Sequence, residues 1–294
     1  MRRASLLLLC VVSPGCGREA PQPAIKTTVT ELPIEDRWIT SPNGRLRVSQ
    51  SGEGGIPVIL VHSLAGNRGQ WKAQVSHLAR TRRVIAVDLL GHGESDLAKD
   101  GNYTPAAASG EIAAVADSLS LGRFVLVGHS RGGAVVLSYA STHPQRVAGL
   151  AFADPTGDMR LISAKDWQQF IAPFKAPTYD VSAASYWTQI LQGADSAVHR
   201  QVMTAFRATP RDVVVRSLEG LRTLDATAAL KAYPGPKVTI VTPNNNFPIS
   251  LHKLVPDLPA KVITGVSHWL QMDRPAEFNR YLDEFLSRVA STGA

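Results

Sequence analysis

Phe124-Val125-Leu126-Val127-Gly128-His129-Ser130-Arg131-Gly132-Gly133 is the stretch on which the reading of this 294-residue chain turns. Its apolar opening reads as a buried strand, and it stops abruptly at Gly-x-Ser-x-Gly. The following Ala134-Val135-Val136-Leu137-Ser138-Tyr139-Ala140 reads as the start of a buried helix. So sharp a strand-to-helix turn would hold Ser130 in a strained backbone conformation and push its hydroxyl out above a sheet. Glycine is called for at 128 and 132 because a Cβ two positions either side would collide where strand and helix approach. The helix N-terminus also aims backbone N–H groups at the same point, where they can hold developing negative charge. The plain alternative is a glycine-rich turn with no chemistry. The placement between an apolar strand and an apolar helix argues against it.

Outward from that turn, strands and helices alternate. Toward the N-terminus, short alternating runs at 37–39 and 45–49 flank Pro42-Asn43-Gly44, a hairpin signal. Buried strands follow at 57–61 and 83–87, with helical spacing at 70–78 and 105–119, the latter with Pro105 in its first turn. Toward the C-terminus, an apolar run at 147–153 ends at Asp154. Later strands read at 237–241 and 261–263, and a closing amphipathic helix at 275–289. Alternation of this kind implies an α/β fold with a mostly parallel central sheet and helices on both faces. Between Asp154 and about Thr223 no such strand reads. Helical spacing at 166–170, 183–191 and 197–206, with Trp167, Phe170, Phe174, Tyr186 and Trp187, suggests an inserted helical cap over about 157–223. These aromatics are candidates to line a pocket or to fill the core of the cap.

The elbow at Ser130 resembles the nucleophile turn of the α/β-hydrolases. Three further stretches are similar to that family. Val61-His62-Ser63-Leu64-Ala65-Gly66 resembles its His-Gly-x-x-Gly loop, with Ser63 in place of the first glycine. The resemblance implies that the backbone N–H groups of Leu64 and Arg131 form an oxyanion hole, and that His62 braces the loop. Asp88-Leu89-Leu90-Gly91-His92-Gly93-Glu94-Ser95 resembles the turn after the fourth strand, which assigns Asp88 and His92 to structure. Gly265-Val266-Ser267-His268-Trp269 resembles the family's terminal histidine loop, making His268 the general base for Ser130.

The third catalytic member departs from the commonest family pattern. It usually follows the penultimate strand, which here leads into Thr242-Pro243-Asn244-Asn245-Asn246 with amides and no carboxylate. Some α/β-hydrolases carry the acid after the sixth strand, where this chain has Asp154. The expectation is Ser130, His268 and Asp154, with Asn245 or Asn246 as the alternative orienter of His268. Asp158 lies too far into the cap connection, and Asp273 reads as a surface or capping carboxylate.

Composition agrees with a globular domain: 44% hydrophobic and 19% charged residues, with a net charge of +7. The basic residues are scattered, so no nucleic-acid stripe reads. The two cysteines, Cys10 and Cys16, precede the fold, which leaves no cysteine-based metal site or internal disulfide framework. No nucleotide motif is present either, so neither cofactor nor metal is expected. Arg2-Arg3, the apolar 6–12 and Ser13-Pro14-Gly15-Cys16 read as a signal peptide over 1–16. Gly15-Cys16 is similar to the end of a bacterial lipoprotein signal, implying an exported protein lipid-anchored at Cys16, or else a simply secreted one. Removal of 1–16 would lower the net charge from +7 to about +5. Residues 17–36 read as a polar tether, and 37–294 as the hydrolase domain.

A serine nucleophile in this setting implies hydrolysis of a small-molecule ester, lactone or amide through an acyl-enzyme. Carbon–carbon bond hydrolases and cofactor-free haloperoxidases use the same triad, and a non-catalytic binding module is the remaining alternative.

Overall fold

The computed structural model describes residues 32–292. The signal segment 1–16 with Cys10 and Cys16, and the tether as far as residue 31, lie outside the described residues. Strands β1 (Glu35–Ser41) and β2 (Gly44–Ser51) form the expected hairpin. The Ser41 hydroxyl donates to the Gly44 carbonyl across its turn at 2.7 Å. β1 starts at Glu35, so two residues read as tether are in fact paired. An edge strand tolerates them: both side chains stay exposed, and Asp36 accepts from the Ser49 hydroxyl at 2.5 Å.

The remaining strands are β3 (Val58–Val61), β4 (Val84–Val87), β5 (Phe124–His129), β6 (Val147–Ala153), β7 (Lys237–Val241) and β8 (Ala260–Val262). The sheet runs β1-β2-β4-β3-β5-β6-β7-β8, antiparallel at β1–β2 and β2–β4 and parallel throughout the rest. Helices α1 (Lys72–Leu78), α2 (Pro105–Ser118) and α3 (Arg131–Thr142) connect its first half. Because side chains alternate along a strand, Ile59 and Val61 pack on the side of α2 and α3. Val58 and Leu60 pack on the opposite side, with Val75 and Leu78 of α1. Strands β3 to β7 are buried on both faces, which is why they read as unbroken apolar runs rather than alternating ones.

The cap is built from α4 (Ala164–Lys175), α5 (Tyr179–Ile190), α6 (Ser196–Ala208) and α7 (Arg211–Gly220). Ser163 caps α4 by accepting from the Asp166 N–H at 3.1 Å, and Asp195 caps α6 through the N–H groups of Ala197 and Val198. Helix α7 has no counterpart in the sequence reading. Its Val213-Val214-Val215 run disfavours a helix by local propensity. Burial of Val213, Val214 and Leu218 overrides that preference. The cap has its own core, in which Trp167, Ile171, Phe174, Trp187, Val202 and Phe206 meet Leu64, Ala134 and Trp269 from the sheet domain. Helix α8 (Ala226–Ala232) returns the chain to β7, and α9 (Leu251–Leu254), α10 (Leu270–Asp273) and α11 (Pro275–Thr292) complete it. Among the described residues no helix is long and apolar enough to cross a membrane.

Candidate active site

Parallel strands bring their carboxyl ends to one edge of the sheet, and the residues singled out from the sequence collect there. Ser130 stands between β5 and α3 with φ 52° and ψ −118°, a backbone conformation that side chains other than glycine rarely adopt. The surroundings hold it in place. Its N–H donates to the Ala153 carbonyl at 3.0 Å, and its carbonyl accepts from the Gly133 N–H at 2.9 Å. A Cβ on Gly128 would lie 2.4 Å from the Gly132 carbonyl oxygen, and one on Gly132 would lie 2.5 Å from those of Val61 and His62. No larger residue fits either position without moving backbone.

Asp154 follows β6 directly and is also at positive φ, 42°. Its N–H donates to the Ile240 carbonyl at 2.8 Å, extending the β6–β7 pairing by one residue past the strand end. The carboxylate is 5% exposed. Its Oδ1 accepts from the Thr242 N–H at 2.9 Å, and its Oδ2 accepts from His268 Nδ1 at 2.6 Å. Thr242 Oγ1 lies 3.2 Å from both oxygens. The carboxylate thus sits one strand away from the commonest family position, while Thr242, at the end of β7, holds it from the backbone. Asn245 does not reach His268. Its Nδ2 donates to the Pro155 carbonyl at 2.9 Å and its Oδ1 accepts from the Ser250 hydroxyl at 2.7 Å. Asn246 is exposed.

His268 is held from three sides. Its N–H donates to the Ile190 carbonyl of α5 at 3.1 Å, tying the loop to the cap. Its carbonyl accepts from His129 Nε2 at 2.9 Å, and the two imidazole rings lie 4.8 Å apart. The Gln271 amide NH2 donates to His129 Nδ1 at 3.2 Å, so the network sets His129 as the Nε2–H tautomer. Burial of the His129 ring pushes its pKa well below the usual histidine value and keeps it neutral. Asp273 departs from its reading as a surface or capping group. It is half-buried, and its Oδ2 accepts from the Ser267 N–H at 2.8 Å and hydroxyl at 2.6 Å, bracing the residue before His268. The Ser130 hydroxyl and the His268 ring line one cavity without a hydrogen bond joining them, a contact that in enzymes often tightens only with substrate bound.

Leu64 and Arg131 line the same cavity. Arg131 opens α3, where a helix leaves its first N–H groups without intrahelical acceptors. The loop carrying Leu64 passes through positive φ at Ala65, 51°, and Ser63 donates to Gln70 Oε1 beneath it at 3.1 Å. His62 donates from Nδ1 to the Ser63 carbonyl at 2.7 Å and accepts at Nε2 from the Leu89 N–H at 3.1 Å. Burial lowers its pKa to about 4. It is a neutral strut between two loops. Asp88 is fully buried on the Arg68 guanidinium and accepts from the N–H groups of Arg68 at 2.6 Å and Glu94 at 3.0 Å.

Beneath the elbow, the Arg131 guanidinium is buried and donates to the Tyr103 carbonyl at 2.7 Å. Burial lowers its pKa to about 10. Glu111, which accepts from the Leu90 N–H at 2.8 Å, is raised by burial to about 7. Neither these side chains nor His129 and Thr242 were assigned roles from the sequence. The only sequence signal for any of them is that His129 and Arg131 occupy the variable positions of Gly-x-Ser-x-Gly.

The cavity over Ser130 measures about 70 Å³. Of the five aromatics named from the sequence, Phe170, Tyr186 and Trp187 line it, while Trp167 and Phe174 pack into the cap core. A larger open groove of about 750 Å³ runs along α6, Arg68 and Lys72, but its one serine, Ser49, is hydrogen-bonded to Asp36 and Arg68, and its carboxylates Asp36 and Glu94 are paired with Arg68. Among the described residues no cluster of three or more His, Cys, Asp or Glu could hold a metal ion.

Comparison with known proteins bears on the family. The alpha/beta hydrolase fold family matches residues 56–225. A dihydrolipoyllysine-residue acetyltransferase component of an acetoin cleaving system from Pseudomonas putida is 42% identical over 122 residues. That match takes in 41% of this chain and only 32% of the longer relative. A protein of Variovorax paradoxus proposed to be a carbamate hydrolase is 29% identical over 253 residues, 81% of this chain and 94% of its own. Among solved structures, a thermophilic esterase from Thermogutta terrifontis superimposes with a TM-score of 0.73 at 25% identity, covering 87% of this chain and 99% of that one. Elbow, sheet order and family match agree: this chain belongs to the alpha/beta hydrolase fold family.

Proposed function

We propose that the protein is a serine hydrolase that cleaves carboxylic esters, or the related lactones and amides, through an acyl-enzyme on Ser130. The observation that carries this reading is the 2.6 Å contact between His268 Nδ1 and the buried Asp154 carboxylate, at the sheet edge that also bears Ser130. With Nδ1–H committed to Asp154, the Nε2 lone pair is left to accept the Ser130 proton as Oγ attacks the substrate carbonyl. The carbonyl oxygen gains negative charge, which the N–H groups of Leu64 and Arg131 stabilise. The tetrahedral adduct then collapses, the alcohol departs with the proton held on His268, and water repeats the sequence in reverse to release the acid. Asp154 contributes by stabilising the imidazolium that forms twice in each cycle.

Ser130→Ala removes one hydroxyl from a position 9% exposed and should leave the fold intact. Loss of a serine nucleophile costs several powers of ten in turnover. Retention of more than about a hundredth of the wild-type rate on a nitrophenyl ester would overturn the serine mechanism. Labelling of Ser130 by a fluorophosphonate separates this reading from a non-catalytic binding module, which would not react.

A further inference from the structure

The space over Ser130 is small for the class of site it belongs to. Small-molecule pockets commonly run to about 300 Å³ or more, against about 70 Å³ here. At about 10–15 Å³ of such space per water-sized group, that is room for roughly five to seven non-hydrogen atoms, enough for a butyryl group and little more. Its floor is rigid. Trp187, Leu218 and Leu221 are each at most 4% exposed and belong to the core of the cap. Its half-buried wall is apolar too: Phe170 and Tyr186 meet edge to face at 5.8 Å, with Met159 and Ile190 beside them.

Apart from the N–H groups assigned to the oxyanion, the cavity offers no counter-charge to a charged acyl chain. No carboxylate or lysine lines it. The single arginine among the lining residues, Arg131, is 1% exposed and directs its guanidinium to the Tyr103 carbonyl. A carboxylate carried into this space would lose its hydration with no counter-charge in return.

Resting on the serine-hydrolase reading above, we infer that the acyl group accepted at Ser130 is short, uncharged and apolar, of acetyl to butyryl size, with Phe170 and Met159 setting the length limit. A longer chain has to displace ring-packed cap side chains, and one methylene too many in a fitted apolar pocket costs about tenfold or more in kcat/KM.

The test compares nitrophenyl acetate, butyrate, octanoate and hemisuccinate on the full chain, after titrating Ser130 with a small ethyl fluorophosphonate. The expected result is full titration, with octanoate and hemisuccinate each at least about tenfold below butyrate. Phe170→Ala should raise the octanoate-to-butyrate ratio by a similar factor. Met159→Ala, on a residue outside the aromatic cluster, provides the same reading if the first variant does not fold. Full titration with octanoate or hemisuccinate turned over as well as butyrate overturns the size and charge inference alone. No titration and no hydrolysis of any ester overturns the serine reading, and the substrate inference with it.

Discussion

Asp154→Asn is the sharpest probe of the site, because the two side chains have the same shape and the outcome depends only on charge and hydrogen-bond polarity. Asp154 Oδ1 faces the Thr242 N–H at 2.9 Å, so the amide of an asparagine settles with its oxygen toward Thr242. Its NH2 then faces His268 Nδ1, where the carboxylate accepted at 2.6 Å. Donor meets donor unless the imidazole moves its proton to Nε2. In that tautomer the nitrogen facing Ser130 carries a hydrogen and cannot take another. The charge is lost as well. A carboxylate and an imidazolium whose charge centres are about 4 Å apart attract by roughly 4 kcal/mol at an effective dielectric constant of 20. That corresponds to about a thousandfold in rate, and the tautomer penalty adds to it, as the about ten-thousandfold loss for the same exchange in a serine protease shows. The assay is kcat/KM for nitrophenyl butyrate, with the melting temperature confirming that the fold is kept. Activity within tenfold of wild type, together with an inactive Asn245→Ala, would mean that the amide loop and not Asp154 orients His268.

Three other expectations can be checked, two from the structure and one from the sequence. His129→Phe keeps a ring but leaves the His268 carbonyl and the Gln271 amide without their partner; kcat should fall, with His129→Gln recovering part of it, and an unchanged kcat would remove His129 from the positioning of His268. Glu111, raised to about 7 from 4.5 by burial, favours the fold as the neutral acid, so its contribution is fully present below pH 4.5 and lost as pH rises through 7. The loss amounts to about 3 kcal/mol at most, so Glu111→Gln should gain on wild type between pH 5 and pH 8 in denaturant titrations, and a pH-independent difference would refute this. Residues 1–16 read as an export signal, so labelled palmitate fed to a bacterial host should enter wild type and not Cys16→Ser; unlabelled wild type would leave simple secretion as the better reading.

The strand-to-helix turn at Ser130, the order of strands and helices around it, and the presence of a helical insertion were all legible in the sequence. These features are written in local signals: unbroken apolar runs, glycines where a Cβ cannot fit, and a proline at a helix start. Where local preference and tertiary burial oppose each other, as in the valine run of α7, the sequence misleads, because a β-branched residue does not reveal how much apolar surface waits to cover it. Nor did local signals mark where β1 begins, since Glu35 and Asp36 are unremarkable residues until they pair with Gln50 and Ser49.

The sequence by itself singled out the residues proposed to do the chemistry: a serine in a forced elbow, a histidine after the last strand, and a carboxylate available at the end of β6. Tertiary structure decided how they meet. Parallel pairing of β6 with β7 sets Asp154 beside Thr242, and the cap's hold on the His268 N–H brings the imidazole onto that carboxylate. The same is true of His129, whose grip on the His268 carbonyl spans 139 residues of chain, and of the cavity, whose small volume comes from side chains on three cap helices converging over Ser130. Contacts between residues so far apart in the chain arise only when the sheet and cap fold together, and no local preference encodes their distances.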